Sequence, residues 1–171
     1  MALCLIVLCG VVARSHAQDA PKESTELLFR DGLSAYERSD YKLAMQIWRP
    51  LAEQDHAKSQ AGVGFLLMRG LVGVFDDTAA AFWLRKAAEH GQPEGQMLLG
   101  RMYLDGRGVV RNPSLAFAWC EIAIDHGAMG GGGCRSLALQ QMTSHEEMLS
   151  AFQLVVDMRK IFHNVPEAVA K

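Results

Sequence analysis

The chain has 171 residues, half of them hydrophobic and 21% charged, with a formal net charge of -2 at neutral pH. This mix excludes a disordered or fibrous chain, and the length suits one domain with a core of its own. No block of like charge occurs, so the basic stripe that a nucleic-acid surface requires is missing.

The amino-terminal residues differ in kind from the rest. Ala2 to Ala13 carries no charge, Arg14 follows, and Ser15-His16-Ala17 comes next. A short apolar run ending in a small-x-small triplet reads as a secretory signal peptide over residues 1–17, with Gln18 first after cleavage. No Lys or Arg precedes the run, and an uncleaved hydrophobic start is the alternative. The run is too short for a bilayer, which needs about 20 apolar residues, so no stable membrane insertion is expected after cleavage. Processing leaves 16 basic against 19 acidic residues, with Cys120 and Cys134 as the remaining cysteines. An even pair in an exported chain invites a disulfide. The alternative is two small buried apolar side chains. Residues 18–24 read as a short flexible segment.

From residue 25 a 36-residue period takes over. Gln60, Gly64, Gly70, Ala80, Trp83, Ala87, His90 and Gly91 fall on Gln96, Gly100, Gly106, Ala116, Trp119, Ala123, His126 and Gly127. Each unit predicts two helices. The first unit, about 25–55, has Asp40 as the cap of its second helix and Pro50 inside that helix, where a kink is expected. The second, 56–91, has Asp76 in the cap slot and Gly91 as the stop; the third, 92–127, has Asn112-Pro113 and Gly127. A cap over 128–162 follows. In it, Gly130 to Gly133 read as a flexible joint before a short helix, Cys134 to Met142. Thr143 to Glu146 reads as a capping box, and a last helix has Met148, Phe152, Val155 and Val156 as its buried side. Residues 163–171 read as a frayed tail.

The spacing from Gly32 to Ala44 is 12 residues, whereas Gly64 to Ala80 and Gly100 to Ala116 are both 16. The longer turn, Gly106-Arg107-Gly108-Val109-Val110-Arg111-Asn112, resembles the hallmark turn of the Sel-1-like repeat family. Trp83 to Gly91 and Trp48 to Asp55 are similar to that family's second-helix pattern. Val72 departs from it, in a glycine slot. The resemblance covers about residues 25 to 162. It implies an all-α fold, a right-handed α/α superhelix of about three helix-turn-helix repeats with a C-terminal capping helix pair. It also implies binding along the concave surface of the first helices.

Chemical motifs are sparse. Ser39-Asp40-Tyr41-Lys42 matches S-x-x-K, but the partner motif K-T-G is absent and Asp40 is needed as a cap. No second His or Cys lies three or four residues from His90 or His126, so no cofactor or metal is expected. His90 and His126 read as partial cations at helix carboxyl ends. The first helices carry a second apolar stripe: Phe29, Leu33 and Tyr36, then Ala61, Phe65 and Met68, then Met97, Arg101 and Leu104, with Arg69 and Asp105 at the edges. That stripe either lines a partner-binding groove or packs inside a tight superhelix. The expected function is a protein- or peptide-binding scaffold of the bacterial envelope. An envelope enzyme acting on peptidoglycan-like or β-lactam substrates and a secreted effector binding host proteins are the alternatives.

Overall fold

The computed structural model describes residues 23–163; the segment read as a signal peptide and residues 164–171 of the tail lie outside the described residues. Those residues form eight helices and no strand. They are α1 (23–37), α2 (Tyr41–Glu53), α3 (Ala57–Met68), α4 (Asp77–Glu89), α5 (Pro93–Asp105), α6 (Pro113–Asp125), α7 (Gly131–Gln141) and α8 (His145–His163). From α2 to α7 each helix packs on the next, and α3 also meets α5 as α5 meets α7. The first helices of successive units therefore stand in one row, as an α-solenoid requires.

The repeated caps set the phase of that row. The side chains of Asp40, Asp76 and Asn112 accept hydrogen bonds from the backbone N–H of Leu43, Ala79 and Leu115 at 3.2, 2.9 and 2.9 Å. Each satisfies a donor that the first helical turn leaves unpaired. Gly91 and Gly127 end α4 and α6 with positive φ, and Asp55 takes the same conformation one period earlier. Replacing Asp76 with alanine is expected to cost about 1 kcal/mol, the usual worth of such a cap, as a lowered midpoint in urea. An unchanged midpoint would remove the cap from the stability of the second unit.

Pro50 lies inside a helix that spans Tyr41–Glu53 without interruption. Three features differ from the sequence expectation. The glycines are not a joint: Gly130, at φ 91°, is the N-cap of α7, and Gly131 to Gly133 are its first turn. Packing overrides propensity there, since a Cβ on Gly131 would lie 2.7 Å from Ile124 of α6. The capping box lies one residue later than read. Ser144 Oγ accepts from Glu147 N–H at 3.1 Å, and Glu147 accepts from the N–H of Thr143 and Ser144 at 2.7 and 3.2 Å. Those backbone donors hold the Glu147 carboxyl below its usual range, so its contribution is present at neutral pH and is lost as pH falls through the lowered pKa. The buried side of α8 is Ala151, Val155 and Met158, while Phe152 and Val156 stay 55% and 46% exposed. Phe152 nonetheless packs edge-on against Phe117, with ring centroids 5.3 Å apart.

The core uses one recurring slot between a second helix and the first helix that follows it. In the first unit Trp48 fills it; a Cβ on Gly62 would come within 2.7 Å of its ring. In the second, Leu84 is buried with Leu98 packed against the same cluster. In the third, Cys120 and Cys134 are joined as a disulfide, with Cα atoms 5.8 Å apart. Glycines make room for the same side chains from the first helix of each pair. A Cβ would lie 2.7 Å from Leu84 at Gly64 and 2.8 Å from Cys120 Sγ at Gly100. α6 is the shared neighbour of α7 and α8, which together cover the end of the stack.

Candidate functional site

The polar slots of the repeat are structural. Gln60 and Gln96 are fully buried, and each donates its amide to the end of the preceding unit's second helix, to the carbonyls of Ala52 and Ala88, both at 3.1 Å. With the nitrogen so engaged, the oxygen of each amide faces an imidazole: His90 Nδ1 and His126 Nδ1 stand 3.0 Å from it. Nδ1 of each histidine is then the donor in that contact. His90 and His126 stand at the C-caps of α4 and α6, the helix ends read from the sequence, and the glutamine contact adds a directed hydrogen bond to each. Ser39-Asp40-Tyr41-Lys42 is equally structural: Asp40 caps α2, and Tyr41 OH donates to Ser39 Oγ at 3.4 Å. Among the described residues no three His, Cys, Asp or Glu side chains gather to hold a metal ion, and no helix is long and apolar enough to cross a membrane.

A groove of about 390 Å³ lies along the row of first helices. The end of α3 supplies Phe65, Met68 and Arg69. From α5 come Met97, Leu98, Arg101, Met102 and Asp105. Arg107 of the following turn and Gly130 and Cys134 at the start of α7 close it. The structure thus brings together Phe65, Met68, Arg69, Met97, Arg101 and Asp105 from the apolar stripe read in the sequence. It does not bring the rest with them. Leu104 is 2% exposed and belongs to the core, because α5 turns it inward. Phe29 and Tyr36 pack around Trp48, with ring centroids 5.8 and 6.1 Å away, and Leu33 is 40% exposed on α1 outside the groove. Leu98, Met102, Arg107, Gly130 and Cys134 are groove residues that the stripe did not contain. Leu98 was reachable from its neighbour Met97, whereas Gly130 and Cys134 depend on where α7 docks.

The electrostatics of the groove are uneven. Arg107 is fixed: its guanidinium bonds both oxygens of Asp77, at 2.6 and 3.0 Å, and the carbonyl of Met68 at 2.8 Å. The bonds to Asp77 push its pKa further up, with the charges of Asp77 and Asp105 adding to the effect. Arg69 and Arg101 are exposed on the rim. A second hollow, of about 440 Å³, lies between the starts of α6 and α8, but its polar side chains serve the fold. Arg111 bonds Gln141, Ser114 donates to the carbonyl of Glu147, and Glu147 completes the cap of α8. The first groove offers half-buried apolar side chains beside exposed guanidinium groups, an arrangement suited to holding a partner.

Comparison with known proteins agrees with this architecture. Residues 27–56, 57–92 and 93–127 match the Sel1 repeat family. Protein sel-1 homolog 2 of Mus musculus is 31% identical over 83 residues, which is 48% of this chain and 11% of that protein. The Homo sapiens homolog is 29% identical over the same length, 12% of its own. Chitin synthase regulator SKT5 of Malassezia restricta is 27% identical over 90 residues, 6% of its length. The chain therefore spans only a small part of these curated relatives. Among solved structures, c5321, described as a protective antigen present in uropathogenic Escherichia coli strains and displaying an SLR fold, superposes with a TM-score of 0.75 at 26% identity. The match covers 90% of this chain and 33% of that one.

Proposed function

Because the chain belongs to the Sel1 repeat family, whose repeats generally mediate protein–protein interactions and are typically non-catalytic, we propose that it is an exported scaffold or adaptor of the bacterial cell envelope that holds a protein or peptide in the groove of α3, α5 and α7. The observation that supports this reading is that Phe65, Met97 and Leu98, half-buried apolar side chains from two successive units, share one hollow with two exposed arginines. Aromatic, Met and Arg side chains are those enriched at interfaces, and methionines adapt to varied peptide shapes. Export rests on the apolar segment and its small-x-small triplet at residues 1–17.

Affinity capture from envelope extract, with the processed chain as bait, tests the reading. Phe65→Ala and Arg101→Ala are each expected to cost about 1–2 kcal/mol of affinity for the captured partner, the size of a good interface position. A thermal melt accompanies each variant, because Phe65 also packs on Tyr36 at 6.0 Å. If Arg101→Ala keeps full stability and full affinity while changes on the second helices abolish binding, the groove is not the site. A secreted chain that meets host proteins is the second reading, supported by the likeness to an antigen of uropathogenic strains. Recovery from the medium rather than the envelope would favour it.

A further inference from the structure

We propose that the groove recognises an acidic peptide segment, one that sets a carboxylate on Arg69 and Arg101 and lays a neighbouring bulky apolar side chain on Phe65 and Met97. The inference rests on the groove being the partner site, and adds the chemistry of the partner.

The argument comes from where the described cations are spent. Among the described residues fourteen are Lys or Arg. Nine of them hold a hydrogen bond: Arg49 to Glu53, Lys58 to Glu26, Arg85 to Tyr103, Lys86 to Asp55, Arg107 to Asp77, Arg111 to Gln141, Arg135 to Glu121, Arg159 to Asp125 and Lys160 to Asp157. Of the five others, Arg30, Arg38 and Lys42 lie outside the groove, whereas Arg69 and Arg101 both line it. Acid is not scarce, since the chain carries 19 carboxylate side chains against 17 Lys and Arg. The groove's own acid, Asp105, forms no ion pair with Arg69 or Arg101 among the described residues, and Arg107 is already held by Asp77. Two guanidinium forks are therefore left over, each able to grip a carboxylate through paired N–H donors. The apolar lining beside them lowers the local dielectric and strengthens that grip relative to open water. Two isolated arginines give too few contacts to track a nucleic-acid backbone, whose binding grows with the number of phosphates neutralised.

The test pans a displayed random dodecapeptide library on the full processed chain, then measures selected synthetic peptides by fluorescence anisotropy. Selected sequences are expected to place Asp or Glu next to Leu, Phe or Met. Changing that acid to its amide should weaken binding roughly tenfold, the effect of losing one charge-assisted contact. Arg69→Gln and Arg101→Gln should each weaken it by a similar factor and narrow the difference between acid and amide peptides. Added salt should weaken the acid peptide more than the amide. Peptides that need Phe65 and Met97, at unchanged melting temperature, but carry no acid or ignore both arginine changes would overturn the acidic preference while leaving the groove as the site. A library whose binders ignore Phe65, Met97 and both arginines, or that yields no binder, would overturn both.

Discussion

Reducing the Cys120–Cys134 bond is expected to lower the stability of the chain by about 3 kcal/mol, the chain-entropy value for a closed loop of roughly 15 residues. The two cysteines are 14 residues apart and nearly fully buried, so the bond ties α6 to α7 across the slot that Gly100 leaves open. Urea denaturation with and without reductant measures the effect. A Cys120→Ala/Cys134→Ala variant should match the reduced protein and ignore the reductant. If the midpoint of the unreduced protein does not move when reductant is added, the thiols are free in solution and behave as two small buried apolar groups. Because Cys134 and Gly130 wall the groove, reduction should also loosen partner binding by way of α7.

Replacing Gln96 with leucine is expected to cost about 2 kcal/mol, within the range for stranding buried hydrogen-bond partners. Two partners lose their contact at once: the carbonyl of Ala88 and the Nδ1–H of His126. The carbonyl keeps a backbone partner in Gly91, so most of the cost falls on the histidine and on repacking. A double variant, Gln96→Leu with His126→Phe, removes the stranded donor and should recover part of the loss. The comparison is a double-mutant cycle in urea, with a positive coupling between the two positions. A Gln96→Leu chain as stable as the original would show that the glutamine ladder does not hold successive units together.

Much of this architecture was legible in the chain because the period itself carries it. Asp40, Asp76 and Asn112 recur every 36 residues and cap three helices, and Gln60/Gln96 with His90/His126 recur in the same register. What the period could not convey was why glutamine and histidine recur together, since their contact runs across 30 residues of sequence. Local frames were ambiguous where two readings fit: Thr143-Ser144-His145-Glu146-Glu147 contains a Thr-x-x-Glu and a Ser-x-x-Glu, and only the helix start chooses between them. The glycine run misleads for another reason. Its helix propensity is poor, and what makes it helical is the close approach of α7 to Ile124. For the site, helical spacing alone identified the stripe but not its depth. Leu104 and Arg101 sit three residues apart, yet one is core and the other rim, because neighbouring helices decide which edge of the stripe remains open.

The three fillings of the recurring slot have one more consequence. Trp48, Leu84 and Cys120 occupy one register position, and Gly62, Leu98 and Cys134 occupy its counterpart. The pairs trade size between the two sides: the largest side chain meets a glycine at the counterpart position, the second pair sets leucine with leucine in one core cluster, and two sulfurs bridge the third. Similar backbones therefore carry unlike locks and keys. Set against Leu98, Trp48 would be crowded; set against Gly62, Cys120 would have no thiol to join and would leave a void. The units are not interchangeable, and side-chain volume writes the order in which they stack.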